Sequence, residues 1–135
     1  MRYFLLCLIL SSYILNSECA YNLVWSDEFN GTSLNAKSWN IEVTGQVYNN
    51  ELEAYSASNV FVANGSLNLV ARKQTYLSKK YTSGRINTNG FHSFTYGRFE
   101  ASMKLPKGKG FWPAFWLYPV NDSLPYREID IMDRQ

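Results

Sequence analysis

An all-β fold, an antiparallel β-sandwich, is the class the sequence predicts, on three observations. Val60-Phe61-Val62-Ala63 and Ser66-Leu67-Asn68-Leu69-Val70 flank Asn64-Gly65, and both turn residues tolerate the positive φ that a tight hairpin requires. Phe99, Ala101, Met103 and Leu105 alternate with Glu100, Ser102 and Lys104, which is the period of a sheet with one buried face. No segment beyond the N-terminal leader sustains a helical period over about ten residues, and short strands separated by turn signals fit a sandwich.

Along the chain, Arg2 precedes an apolar run from Tyr3 to Leu10 that extends weakly to Leu15, and Ser17-Glu18-Cys19 gives a small-x-small cleavage site. Residues 1–19 therefore read as a secretory signal, with a mature, extracellular chain starting near Ala20. An uncleaved membrane anchor is the alternative, but Ser11, Ser12 and Asn16 interrupt the run before it reaches about 20 apolar residues. No membrane association is expected after cleavage. Cys7 and Cys19 both lie in the leader, so the mature chain offers no disulfide framework and no thiol nucleophile. Removing the leader takes away Arg2 and Glu18, one base and one acid, and the net charge stays at +2, a balance that points to no nucleic acid partner.

Beyond the leader, Trp25 and Trp39 are assigned to the core. Asn64-Gly65 reads first as a turn, although Asn30, Asn64 and Asn121 each begin a glycosylation sequon. After Leu105, Lys107-Gly108-Lys109-Gly110 ends the strand. Trp112 and Trp116 are four residues apart and share a face if the segment is extended. With four tryptophans and ten tyrosines in the chain, these two are the best candidates to stack on sugar rings; the alternative is that they pack together in the core. Glu51 and Glu53 read as solvated or wall residues. His92, the single histidine, lacks a Cys or acidic ligand pattern and reads as structural.

The last segment carries the chemistry. Arg127-Glu128-Ile129-Asp130-Ile131-Met132-Asp133 interleaves three carboxylates with apolar residues on a strand-like run, and carboxylates there are costly to desolvate. On a regular strand Glu128 and Asp130 share a face and Asp133 points away. A β-bulge at Ile131-Met132 would return Asp133 to the face of the other two, and bulges are common beside active sites. Paired carboxylates astride a glycosidic bond perform glycoside hydrolysis, with a nucleophile, a general acid/base and a third acid that tunes the nucleophile. An exposed edge strand with solvated acids fits the same pattern, and spacing alone leaves both open.

Leu23 to Gly31, Asn49-Asn50-Glu51-Leu52, Tyr81-Thr82-Ser83-Gly84-Arg85-Ile86, Tyr96-Gly97-Arg98-Phe99-Glu100, Trp112-Pro113-Ala114-Phe115-Trp116 and Glu128-Ile129-Asp130-Ile131-Met132 occur in this order. Together they resemble glycoside hydrolase family 16, and within it the laminarinase-like endo-β-1,3-glucanases. The resemblance implies a concanavalin-like jelly roll, incomplete here: residues 20–135 correspond to the N-terminal portion of the family's domain, ending after the catalytic strand. It implies a monomeric enzyme that binds β-glucan polysaccharide and hydrolyses it by a retaining mechanism without a cofactor. Glu128 would be the nucleophile, Asp130 its partner and Asp133 the acid/base, while Asn50 and Arg85 match positions that contact sugar hydroxyls. Arg85 reads equally as a salt-bridge partner from the residues alone. The resemblance also implies a structural calcium, with Glu28 and the Gly65 carbonyl at matching positions. A non-catalytic β-glucan-binding protein is the alternative of the same fold.

This chain departs from the family pattern at two points. Asp133 stands where the family has Glu, so the side chain is shorter by about 1.5 Å. Leu124-Pro125 and Arg127 replace the usual Trp-Pro and Gly ahead of the nucleophile.

Overall fold

The computed structural model describes residues 21–46, 49–121 and 128–134, so the leader and Leu124 to Arg127 lie outside the described residues. Regular structure among them is β, apart from one 3-10 turn at Ala57–Asn59. No helix there is long and apolar enough to cross a membrane.

The strands come in hydrogen-bonded pairs. β1 (Asn40–Ile41) runs antiparallel to β6 (Ile86–Asn87), with Asn40 opposite Asn87. β3 (Val60–Ala63) and β4 (Ser66–Leu69) form the expected hairpin, and Asn64 and Gly65 take φ of 53° and 66°. Two left-handed residues in a two-residue loop match the right-handed twist of the strands. β7 (Ala114–Leu117) and β8 (Ile129–Asp133) are antiparallel.

One pairing departs from the antiparallel expectation, because β2 (Glu53–Tyr55) and β5 (Tyr81–Ser83) run parallel. The intervening chain includes the whole β3–β4 hairpin and is long enough to return in the same direction. Thr44 bridges Tyr55 and Arg72 bridges Thr82, both antiparallel, which extends this pair on each side.

The best-buried region lies at this junction. Ala54, Tyr55, Val60 and Val62 are its buried apolar residues, and Asn59 and Thr82 are buried polar ones. Asn59 is fully enclosed yet satisfied: its amide donates to the Val70 carbonyl and to Thr82 Oγ1 at 3.1 Å, and its own carbonyl accepts the Val70 N–H at 2.9 Å. Gly84 presses against it so closely that a Cβ there would stand 2.6 Å from the Asn59 carbonyl oxygen. Glycine is required at 84 by this approach of two backbones.

A second cluster forms around Trp25 and Trp39, whose rings meet edge-on at 5.5 Å, with Phe29, His92 and Phe94 beside them. The Trp39 indole donates to Asp27 Oδ2 at 2.9 Å. Both tryptophans are half-buried.

The alternating run from Phe99 to Leu105 forms no strand. Phe99 and Leu105 are half-buried, while Ala101 and Met103 are exposed. Alternation selects a face, but a strand needs a neighbour to accept its hydrogen bonds, and among the described residues none pairs with this segment.

Candidate active site

The β7–β8 ladder is where the parity of the three acids is resolved. Trp116 stands opposite Asp130 and Ala114 opposite Asp133, so three residues on β7 are matched by four on β8 and the register shifts between Phe115 and Trp116. Ile131 is the extra residue of a β-bulge. Residues directly opposite each other in an antiparallel pair share a face. Asp130 and Asp133 therefore lie on the face of Ala114 and Trp116, and Glu128, two extended residues before Asp130, joins them. Phe115 and Met132 take the other face and are half-buried.

Asp130 and Asp133 are exposed and Glu128 is half-buried. The Asp130 carboxyl titrates above the ordinary aspartate range, first through partial loss of solvation, then through the like charges of Glu128 and Asp133 and a hydrogen bond with Glu128. Three acids so close do not ionise independently.

Aromatic and cationic groups close around this face. The Trp112 indole N–H donates to Asp133 Oδ1, which ties the ring to the last acid. Trp116 meets Tyr118 edge-on at 5.6 Å and lies under the Arg85 guanidinium, 5.2 Å from ring centre to Cζ. Arg85 also lies 5.4 Å from the Tyr55 ring, and its Nε pairs with Glu42 Oε2 at 3.1 Å. Burial opposes the Arg85 charge, but Glu42, the Tyr55 contact and Glu51 more than offset it, and its pKa is raised. Tyr55 donates to Glu51 Oε2 at 3.1 Å, and its hydroxyl is pushed up to about 12, by burial first and by Glu51 next, with Arg85 acting in the opposite sense.

The structure thus brings Glu128, Asp130, Asp133, Trp112, Trp116 and Arg85 to one region. Asn50 lies in an exposed turn, left-handed like Asn49, at φ of 60° and 53°. Sequence reasoning missed Glu42, Tyr55 and Tyr118, and left Glu51 as a wall residue. The available signal was indirect: Glu42 falls two residues after Asn40 and Arg85 two before Asn87, so once Asn40 pairs with Asn87 the two charges meet across the ladder.

The residues matched to the implied calcium supply few oxygens among those described. Glu28 and the Gly65 carbonyl, with Asn30 Oδ1 lying 3.9 Å from the Cβ position of Gly65, offer two or three oxygens, whereas Ca²⁺ takes roughly six to eight. Among the described residues no group of three or more His, Cys, Asp or Glu side chains is placed to hold a metal.

Comparison with known proteins gives a consistent set of matches. The family model for glycosyl hydrolases family 16 matches residues 47–133. A beta-glucanase of Rhodothermus marinus is 37% identical over 146 aligned positions, covering 96% of this chain and 51% of the relative. The X-ray structure of the laminarinase from Rhodothermus marinus superposes with a TM-score of 0.79 at 37% identity, over 85% of this chain and 50% of that one. The catalytic domain of an endo-1,3-beta-glucanase from Thermotoga petrophila gives a TM-score of 0.78 at 38% identity, over 85% of this chain and 52% of that one. The chain spans about half the length of these relatives. Those neighbours carry the jelly roll expected from the sequence.

Proposed function

The chain belongs to glycosyl hydrolase family 16, and on that premise we propose that it is the nucleophile-bearing portion of a secreted endo-β-1,3(4)-glucanase that works by a retaining mechanism. The observation that carries the reading is the bulge at Ile131, which gathers Glu128, Asp130 and Asp133 beside Trp116.

In the first step the Glu128 carboxylate attacks the anomeric carbon while the glycosidic C–O bond breaks and the departing oxygen takes a proton from Asp133. A glycosyl ester on Glu128 results. In the second step Asp133, now ionised, removes a proton from water as it attacks the same carbon, and Glu128 leaves as carboxylate. Asp130, protonated more readily than an ordinary aspartate, donates a hydrogen bond to Glu128 and keeps the two negative charges from coexisting. Trp116 and Trp112 present rings on which sugar faces stack. The chemistry of these steps calls for no cofactor, and β-glucan is the partner.

The acid/base step is the weak point. Retaining glycosidases hold their two carboxyls about 5–5.5 Å apart, and a side chain shorter by about 1.5 Å moves the pair toward the roughly 6.5–9.5 Å of inverting enzymes. Engagement of Asp133 by the Trp112 indole restrains the carboxyl further. These two features favour, as a second reading, a protein of the same fold that binds β-glucan without cleaving it.

Reducing-sugar release from laminarin separates the two. The hydrolase reading expects activity in the parent, its loss in Glu128→Gln and an increase in Asp133→Glu. Laminarin retained by the parent with no release from any of the three would establish the binding protein instead.

A further inference from the structure

Arg85 is the cation on the Trp116 platform, and its setting is unusual for a surface arginine. Its guanidinium lies between the Tyr55 and Trp116 rings, and its Nε is bound to Glu42. Glu42 is itself fixed, since its Oε1 accepts from Asn87 Nδ2 at 2.9 Å and its backbone N–H donates to the Arg85 carbonyl at 2.9 Å. Asn87 is held in turn by Asn40, whose amide donates to its Oδ1 at 3.1 Å. A chain of side-chain hydrogen bonds therefore runs from the β1–β6 ladder to the aromatic platform of the β7–β8 ladder. With Nε held by Glu42 and a side-chain hydrogen bond to Tyr55, the plane of the guanidinium fork is set by these partners.

The pairing also cancels charge. Both side chains are about a quarter to a third exposed, at 26% for Arg85 and 30% for Glu42, so the pair is partly shielded from solvent. Glu51 adds a second carboxylate to the group through Tyr55. With Glu128, Asp130 and Asp133 on the face of Trp116, the platform presents aligned donors without a net positive charge. Lys107, Lys109 and Arg134 line a hollow with Phe111 and Pro113.

We propose that Glu42 is a positioning and specificity-determining residue: it orients Arg85 on Trp116 as a hydrogen-bond donor while cancelling its charge, so that the site takes a neutral glucan in preference to an anionic glycan. Neutral sugars offer hydroxyl acceptors that need aimed donors, whereas carboxylated or sulfated sugars require an unbalanced cation to offset the acids nearby. This rests on the glucan reading given above.

The test is intrinsic tryptophan fluorescence titration with laminarin and with carboxymethylated laminarin, in a Glu128→Gln background that prevents turnover. In the parent laminarin binds more tightly than its anionic derivative. Glu42→Gln loses the carboxylate charge, and the ratio of the two affinities falls by about threefold or more, as for a partly exposed charge pair. Glu42→Asp keeps the charge and misplaces the fork, so both affinities weaken and the ratio holds. A merely structural Glu42 would weaken both ligands equally in Glu42→Gln, and an unchanged ratio there overturns the proposal. Failure of the parent to bind laminarin at all would instead remove the glucan reading, and this proposal with it.

Discussion

The junction around Asn59 and the β7–β8 ladder are built on opposite plans. At the junction, polar atoms are enclosed and paired with backbone and side chain, and Gly84 admits no added atom. On the ladder, Asp130 and Asp133 face solvent, and side-chain contacts with Trp112, Trp116 and Arg85 define the arrangement. A change at the first region should cost stability, and a change at the second should cost function.

The largest separation is expected from Asp133→Asn. The carboxamide keeps the side chain's size and its place opposite Ala114 but can neither give nor take the proton, and laminarin hydrolysis falls by on the order of 10²–10⁴-fold, the range for loss of a general acid/base. The melting temperature, read by circular dichroism, should move little by comparison. Activity that survives the substitution would mean that Asp133 is not the acid/base.

At the junction the order reverses. Gly84→Ala forces a methyl group against the Asn59 carbonyl and should destabilise by about 1–3 kcal/mol, as overpacking does. Asn59→Ala leaves the Val70 carbonyl to lose one donor and the Thr82 hydroxyl to lose a partner, for about 1–3 kcal/mol. Denaturant midpoints measure both. Any residual activity per folded molecule should match the parent.

The smallest effect joins the two regions. Folding raises the Asp130 pKa, so the stability this group contributes is fully present below its unfolded value, about 4, and is lost as pH rises through the folded value. Asp130→Asn, neutral at every pH, should melt higher than the parent near neutral pH, and the gap should close as pH drops below about 4. A gap that does not vary with pH would mean that the neighbouring carboxylates do not burden Asp130.

Different parts of this architecture were legible to different degrees. The hairpin could be read because Asn64 and Gly65 are residues that accept positive φ, a local requirement met locally. The bulge could be read as a parity problem, since three acids at 128, 130 and 133 cannot share a face on a regular strand. The segment from Phe99 to Leu105 misled because alternation encodes which side is apolar and says nothing of whether a partner strand is present. The parallel pairing of β2 with β5 depends on how the hairpin folds back, a property of no single window. Glu42, Arg85 and Trp116 are far apart in the chain and meet only through β1–β6 pairing and ring stacking, so sequence left Arg85 between a sugar contact and a salt bridge. In the structure it is a salt-bridge partner whose ring contacts place it beside the acids.

The central claim is that Glu128 is a nucleophile on a face it shares with Asp130 and Asp133. Incubation with an activated 2-deoxy-2-fluoro laminaribioside, followed by mass spectrometry of the digested chain, tests it directly, because the fluorine slows breakdown of a glycosyl ester. The expected result is one added fluoroglycosyl mass on the peptide containing Glu128, absent in Glu128→Gln. A label on another residue, or an unlabelled chain that still releases sugar from laminarin, would contradict it.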